Sequence, residues 1–224
     1  MAKRQKKYTL TPEDYLTRKQ RRQLMKACKE RAEVDLFHGR KTWPVRYMLV
    51  DLALFTGLRV SEIAKLKIGD IDLSNKDDAY LIVRDGKGQK KRTVYFDTDL
   101  VKHLLWFFDY KKKTLQEPTD EGAPLFHATR KSGKDYPHSP TITFMKSFDR
   151  AVEAAGLPSH FTIHNARHTY ATHLLKDSGN LSYVQQQLGH SNMAMTRIYA
   201  KILPEDNGKL ANMIQRDELT EPNQ

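Results

Sequence analysis

Between Thr42 and Gly57 the chain carries a helical stretch with almost no polar face, and this limits what it can fold into. Pro44 is allowed in a first helical turn, and Gly57 is a natural stop. Tyr47, Met48, Val50, Leu52, Ala53, Leu54 and Phe55 leave little of the surface for water. Such a helix must be covered on most sides, so it is expected at the centre of the core. Other helical patterns supply the cover. One is capped by Thr17 and runs to about Arg31; a short one runs from Ser61 to Leu66. Others occupy roughly 99–112, 139–155 and 163–177, the last capped by Thr162 and ended by Gly179. Two short helices follow at about 181–188 and 192–199, and an amphipathic segment at 205–216. Ala79–Val83 and Thr93–Phe96 instead are β-branched and aromatic, and Asp85-Gly86 between them signals a turn, so this region reads as a hairpin with a basic tip. The expected fold class is mainly α with a small antiparallel β-sheet (α+β), since the helix–strand alternation of a parallel sheet is missing.

The charge is uneven. The 224 residues hold 38 Lys and Arg against 27 Asp and Glu, a formal net charge of +11. Residues 1–31 contain eleven of the basic residues against Glu13, Asp14 and Glu30, and a second cluster comprises Arg84, Lys87, Lys90, Lys91 and Arg92. One run of this kind is ordinarily a solvated surface; two in so basic a chain point to a phosphate backbone, ahead of an anionic membrane surface. No apolar run approaches the ~18 residues of a spanning helix. The opening MAKRQKKYTL lacks the apolar stretch of a secretory signal. The single cysteine, Cys28, excludes an internal disulfide and a multi-cysteine metal site, which fits a reducing cytoplasm.

Three segments carry the chemistry: Thr56-Gly57-Leu58-Arg59-Val60-Ser61-Glu62, His164-Asn165-Ala166-Arg167-His168-Thr169, and Leu188-Gly189-His190 with Tyr199 beyond it. Each alone has an ordinary reading as capping, surface or core residues. Together they supply what phosphoryl transfer needs, which is mostly positioning and charge stabilisation. The planar forks of Arg59 and Arg167 suit the non-bridging oxygens of a phosphate in transfer. A tyrosine hydroxyl, with a pKa of ~10, needs a proton acceptor and a positive field to attack at neutral pH. A leaving 5′-oxygen needs a proton, which Lys87 at the hairpin tip can supply.

The joint pattern resembles the tyrosine recombinase (phage integrase) family, whose signature is an Arg in a TGLR-x-SE context, a hairpin Lys, H-x-x-R, L-G-H and a Tyr nine residues later. Here these are Thr56–Glu62, Lys87, His164 with Arg167, and His190 with Tyr199, so the resemblance runs from about Thr17 to Ala200. It implies the recombinase catalytic-domain fold, with Arg59, Arg167 and His190 holding the scissile phosphate. Lys87 would be the general acid, His164 would assist proton transfer, Tyr199 would form a 3′-phosphotyrosyl link and Glu62 would support the pocket. Lys90, Lys91 and Arg92 would contact DNA. The resemblance further implies no cofactor and no metal, double-stranded DNA as partner, and a homo-tetramer on two DNA sites built from protomers monomeric in isolation. The location would be the cytoplasm, at the nucleoid.

By this reading residues 1–16 form a basic tail, 17–203 the catalytic domain, and 204–224 a C-terminal segment that can pack in trans. Ala166 stands where many relatives carry Leu, a packing difference. Family members usually carry about a hundred residues of core-binding domain before the catalytic domain; this chain reads either as a fragment or as a short natural form. Alternatives are a type IB topoisomerase, with comparable tyrosine chemistry, and a non-catalytic DNA-binding regulator. A metal reading of His164 and His168 as H-x-x-x-H lacks the Glu of H-E-x-x-H and sets Arg167 beside the ion, so His168 reads as a structural histidine.

Overall fold

The computed structural model describes residues 10–84, 91–127, 140–189, 196 and 198–199. In chain order, α1 spans Arg18–Phe37, α2 Thr42–Thr56 and α3 Val60–Lys65. A small sheet follows, with β1 at Ile71–Asp72, β2 at Tyr80–Arg84 and β3 at Lys91–Tyr95. Then come α4 at Thr98–Tyr110, α5 at Thr141–Ala154, α6 at Ile163–Ser178 and α7 at Leu181–Leu188. Thr196, Ile198 and Tyr199 are helical positions. The fold is mainly α with a small antiparallel sheet.

The apolar helix α2 is the centre. Met48 to Leu54 are buried without interruption, and α1, α4, α5 and α6 all pack against it. Each covering helix needs only one apolar stripe. On α1 that stripe is Leu24, Cys28 and Ala32, four apart, with the buried Asp35 continuing the same face. Thr17 caps α1 by accepting from the Gln20 N–H (3.2 Å). The helix continues past the expected Arg31 to Phe37, because Asp35 closes the next corner: its carboxylate accepts from Trp43 N (2.9 Å) and Arg40 Nε (2.7 Å).

The strands run β1-β2-β3, antiparallel, with Tyr80 opposite Tyr95 and Arg84 opposite Lys91. The hairpin matches the sequence pattern. The strand outside the hairpin, β1, is two residues long and has no periodicity to show in sequence. No helix among the described residues is long and apolar enough to cross a membrane. Leu16 is fully buried, Leu10 joins the apolar cluster around Tyr199, and Leu16 N donates to Thr169 Oγ1 of α6 (2.9 Å). The segment 205–216 lies outside the described residues.

Candidate active site

The turn after α2 sets the first arginine. Gly57 is left-handed (φ +62°), and a β-carbon there would fall 2.3 Å from Cδ1 of Tyr170, so only glycine serves on both counts. The chain then enters α3 with Arg59 as its N-cap residue. Glu62, one turn on, accepts from the Arg59 backbone N–H (2.7 Å) and from Arg59 Nη1 (2.9 Å). The same carboxylate accepts a fork from Arg92 on β3, with Nη1 at 2.9 Å and Nη2 at 2.8 Å. Two parallel guanidinium–carboxylate bonds fix orientation as well as charge.

Arg92 was expected among the DNA contacts, and the structure shows what its side chain holds. Its guanidinium is turned inward, its side chain is 14% exposed, and Nε donates to the Gln187 carbonyl (3.1 Å). It ties the hairpin to α3 and α7. Gln187 strengthens that tie by accepting from Tyr95 N through Oε1 (3.1 Å). Sequence reasoning passed over Gln187, which had no signal beyond its place before Leu188-Gly189. Lys91, also an expected DNA contact, is exposed at the start of β3. Lys87, Lys90 and His190 lie outside the described residues.

Burial pushes the Glu62 carboxyl up, but the hydrogen bonds and charge of Arg92, with the Arg59 amide and the Arg167 charge, bring it down to about 2. The unfolded chain then binds this proton more tightly than the folded one. The stability Glu62 adds is complete above its ordinary value of 4.5 and is lost as pH falls toward about 2. Glu62→Gln is expected to lower unfolding stability at pH 7 by on the order of 3 kcal/mol, the gap shrinking as pH falls through that window. Urea unfolding of both proteins between pH 7 and pH 2 measures it; a pH-independent gap contradicts the ion pair.

On α6, Thr162 and Asn165 close the first turn, Thr162 N donating to Asn165 Oδ1 (2.8 Å). Arg167 then reaches two helix ends at once. Nη1 donates to the Gly57 carbonyl (2.5 Å) and Nη2 to the Leu188 carbonyl (2.8 Å). Both residues close helices whose last carbonyls lack intrahelical partners, so the guanidinium satisfies them while stapling α2, α6 and α7 together. Burial, helped by the charges of Arg59 and Arg92 and opposed by Glu62, pulls its pKa down to about 10, which leaves it charged at neutral pH. Tyr199 also acts on that pKa, so the phenol lies within the electrostatic reach of Arg167.

Tyr199 is 1% exposed, in a cluster with Ala171, Leu175, Val184 and Leu188. Its hydroxyl lies 2.8 Å from Nδ1 of His168, the residue read from sequence as structural. His164, the expected helper in proton transfer, is exposed. The structure thus brings Arg59, Glu62, Arg92, Arg167, His168 and Tyr199 to one place. Two cationic forks, and a hydrogen-bonded phenol within electrostatic reach of one of them, suit nucleophilic attack on a phosphodiester.

Comparison with known proteins gives the following. A family model described as the phage integrase family matches residues 14–205. Tyrosine recombinase XerA of Pyrococcus furiosus is 34% identical over 160 residues, 70% of this chain and 51% of that protein. Tyrosine recombinase XerC of Proteus mirabilis is 36% identical over 154 residues, 69% of this chain and 46% of that protein. The chain thus spans about half the length of the curated relatives it matches. The crystal structure of XerA recombinase superposes with a TM-score of 0.66 at 27% identity, covering 92% of this chain and 65% of that one. The catalytic domain of bacteriophage HP1 integrase shares the fold, with a TM-score of 0.60 at 22% identity over 94% of this chain and 98% of that one.

Proposed function

The chain belongs to the phage integrase family, and on that premise we propose that it is a site-specific recombinase that cleaves and rejoins duplex DNA through a 3′-phosphotyrosyl link at Tyr199. The observation that carries this is convergence: Arg167 on α6 donates to the Gly57 carbonyl in the turn that leads to Arg59, and the Tyr199 hydroxyl meets His168, the residue that follows Arg167 on the same helix. Arg59 and Arg167, with His190, hold the non-bridging oxygens and offset the charge that develops on them. Glu62 holds Arg59 in place, His164 assists proton transfer from the exposed face of α6, and Lys87 protonates the leaving 5′-oxygen. Cleavage exchanges one phosphodiester for another, so the bond energy is kept in the tyrosyl link and neither ATP nor a metal is needed. Lys90 and Lys91 contact the DNA backbone beside the hairpin. Four protomers, monomeric when free of DNA, act on two sites, in the cytoplasm at the nucleoid.

Trapping tests this reading. A duplex nicked near the scissile phosphate loses a short 5′-hydroxyl fragment on cleavage, so the covalent complex accumulates. The wild-type chain is expected to give a protein–DNA band stable to denaturant without added nucleotide or divalent ion. Tyr199→Phe removes only the attacking oxygen and is expected to bind the same DNA and give no band. A band of wild-type intensity from Tyr199→Phe contradicts the assignment.

A further inference from the structure

Of the two histidines one turn apart on α6, the one that meets the tyrosine is His168. Its ring lies 5.9 Å from the Tyr199 ring, tilted by 45°, with Nδ1 on the hydroxyl at 2.8 Å. The phenol sits in an apolar cluster, where water is a poor competitor for its proton. Against α6 lies the short turn Pro12–Asp14, fixed to the helix by Asn165 Nδ2, which donates to the Asp14 carbonyl (2.9 Å). The Asp14 carboxylate is itself oriented, accepting from Thr11 N (2.7 Å) and Thr11 Oγ1 (2.9 Å). Burial lowers the pKa of His168 below its ordinary 6.5; the charge of Asp14 opposes this, and those of Arg167 and His164 add to it. The imidazole is therefore neutral at neutral pH, and its Nδ1 can accept.

We propose that His168 is a catalytic residue, the base that takes the Tyr199 proton during strand cleavage, with Asp14 stabilising the imidazolium that forms. The role rests on the recombinase reading. As Tyr199 Oη bonds to phosphorus, its proton passes to His168 Nδ1. The P–O5′ bond breaks with its electron pair on O5′, which takes a proton from the Lys87 ammonium. In rejoining, the 5′-hydroxyl attacks phosphorus and returns its proton to Lys87, while Tyr199 Oη leaves and recovers its own from His168, so no proton is gained or lost. Arg167 is the next residue on the helix, so a phosphate gripped by its fork comes to the turn that carries His168. An imidazole that meets a hydroxyl and feels the charge of a carboxylate has the elements that activate weak hydroxyl nucleophiles elsewhere.

Single-turnover adduct formation on the nicked duplex, followed against pH, tests the role. His168→Asn places a carbonyl oxygen near the position of Nδ1, so it can still accept the hydroxyl hydrogen bond but cannot take the proton. It is expected to slow the adduct by about 10²-fold or more at neutral pH. The wild-type rate is expected to climb through the titration of His168, which Asp14, Arg167, His164 and Tyr199 face, and then level. The Asn variant is expected to keep rising into alkaline pH as the phenol ionises unaided. An Asn variant at the wild-type rate with the wild-type profile overturns the proposal, because a purely positional role is kept by asparagine. A readout without DNA guards against misfolding: the ring-nitrogen shifts of His168 should change in Tyr199→Phe, and unchanged shifts overturn the hydrogen bond itself. A wild-type chain that forms no Tyr199-dependent adduct sinks the recombinase reading, and this role with it.

Discussion

Arg167→Lys is expected to slow covalent strand cleavage by about 10²–10³-fold although the positive charge stays. The reason is the shape of what is lost. In the structure the planar fork spans the Gly57 and Leu188 carbonyls, at 2.5 and 2.8 Å, while its charge also acts on Tyr199. A lysine ammonium is a point charge on a flexible stem and cannot hold two helix ends and present a flat edge to phosphate oxygens. One of the two carbonyls would be left without its donor, so a fall in stability of about 1–3 kcal/mol should accompany the kinetic loss. Single-turnover adduct formation, at a temperature where circular dichroism shows the variant folded, separates the two. A lysine variant within about fivefold of wild type would show that charge alone is needed.

Lys87→Ala is expected to be almost inert on ordinary DNA yet to recover when sulfur replaces the scissile 5′-bridging oxygen. An alkoxide is a poor leaving group and needs a proton, whereas a thiolate, the base of a thiol of pKa about 8.5, hardly does. A general acid contributes about 10²–10⁴-fold, and most of that factor should return with the sulfur substrate. Lys90→Ala and Lys91→Ala serve as controls, with binding defects that persist on both substrates. Gly86-Lys87-Gly88 lies in the sequence between the paired strands β2 and β3, and Arg92 and Tyr95 anchor the outgoing strand to α3 and α7. Equal impairment on both substrates would make Lys87 a phosphate contact and no more.

What the sequence made legible is what local chemistry decides. Thr17 as a cap, Gly57 and Gly179 as stops and the span Leu181–Leu188 all follow from neighbours within one turn. The central place of α2 was legible too, because an apolar surface all round leaves a helix no other place. Partners distant in the chain were not. Arg92 looked like one more member of a basic run; that it faces inward depends on Glu62, thirty residues earlier, and on Gln187, ninety-five residues later. His168 showed in the sequence only as half of an H-x-x-x-H spacing with His164, and its contact with Tyr199 exists only once α6 and the chain around Tyr199 are packed together. Spacing could show that two histidines share a helix face. It could not show which of them meets the phenol.

The central claim is that Tyr199 takes the 3′ phosphate of a broken strand. Digesting the trapped covalent complex with protease and nuclease, and reading the modified peptide by mass spectrometry, tests it directly. The account predicts a nucleotide 3′-phosphate on the peptide that contains Tyr199, with a free 5′-hydroxyl on the released strand. A nucleotide on any other residue, or a link through a 5′-phosphate, would contradict it.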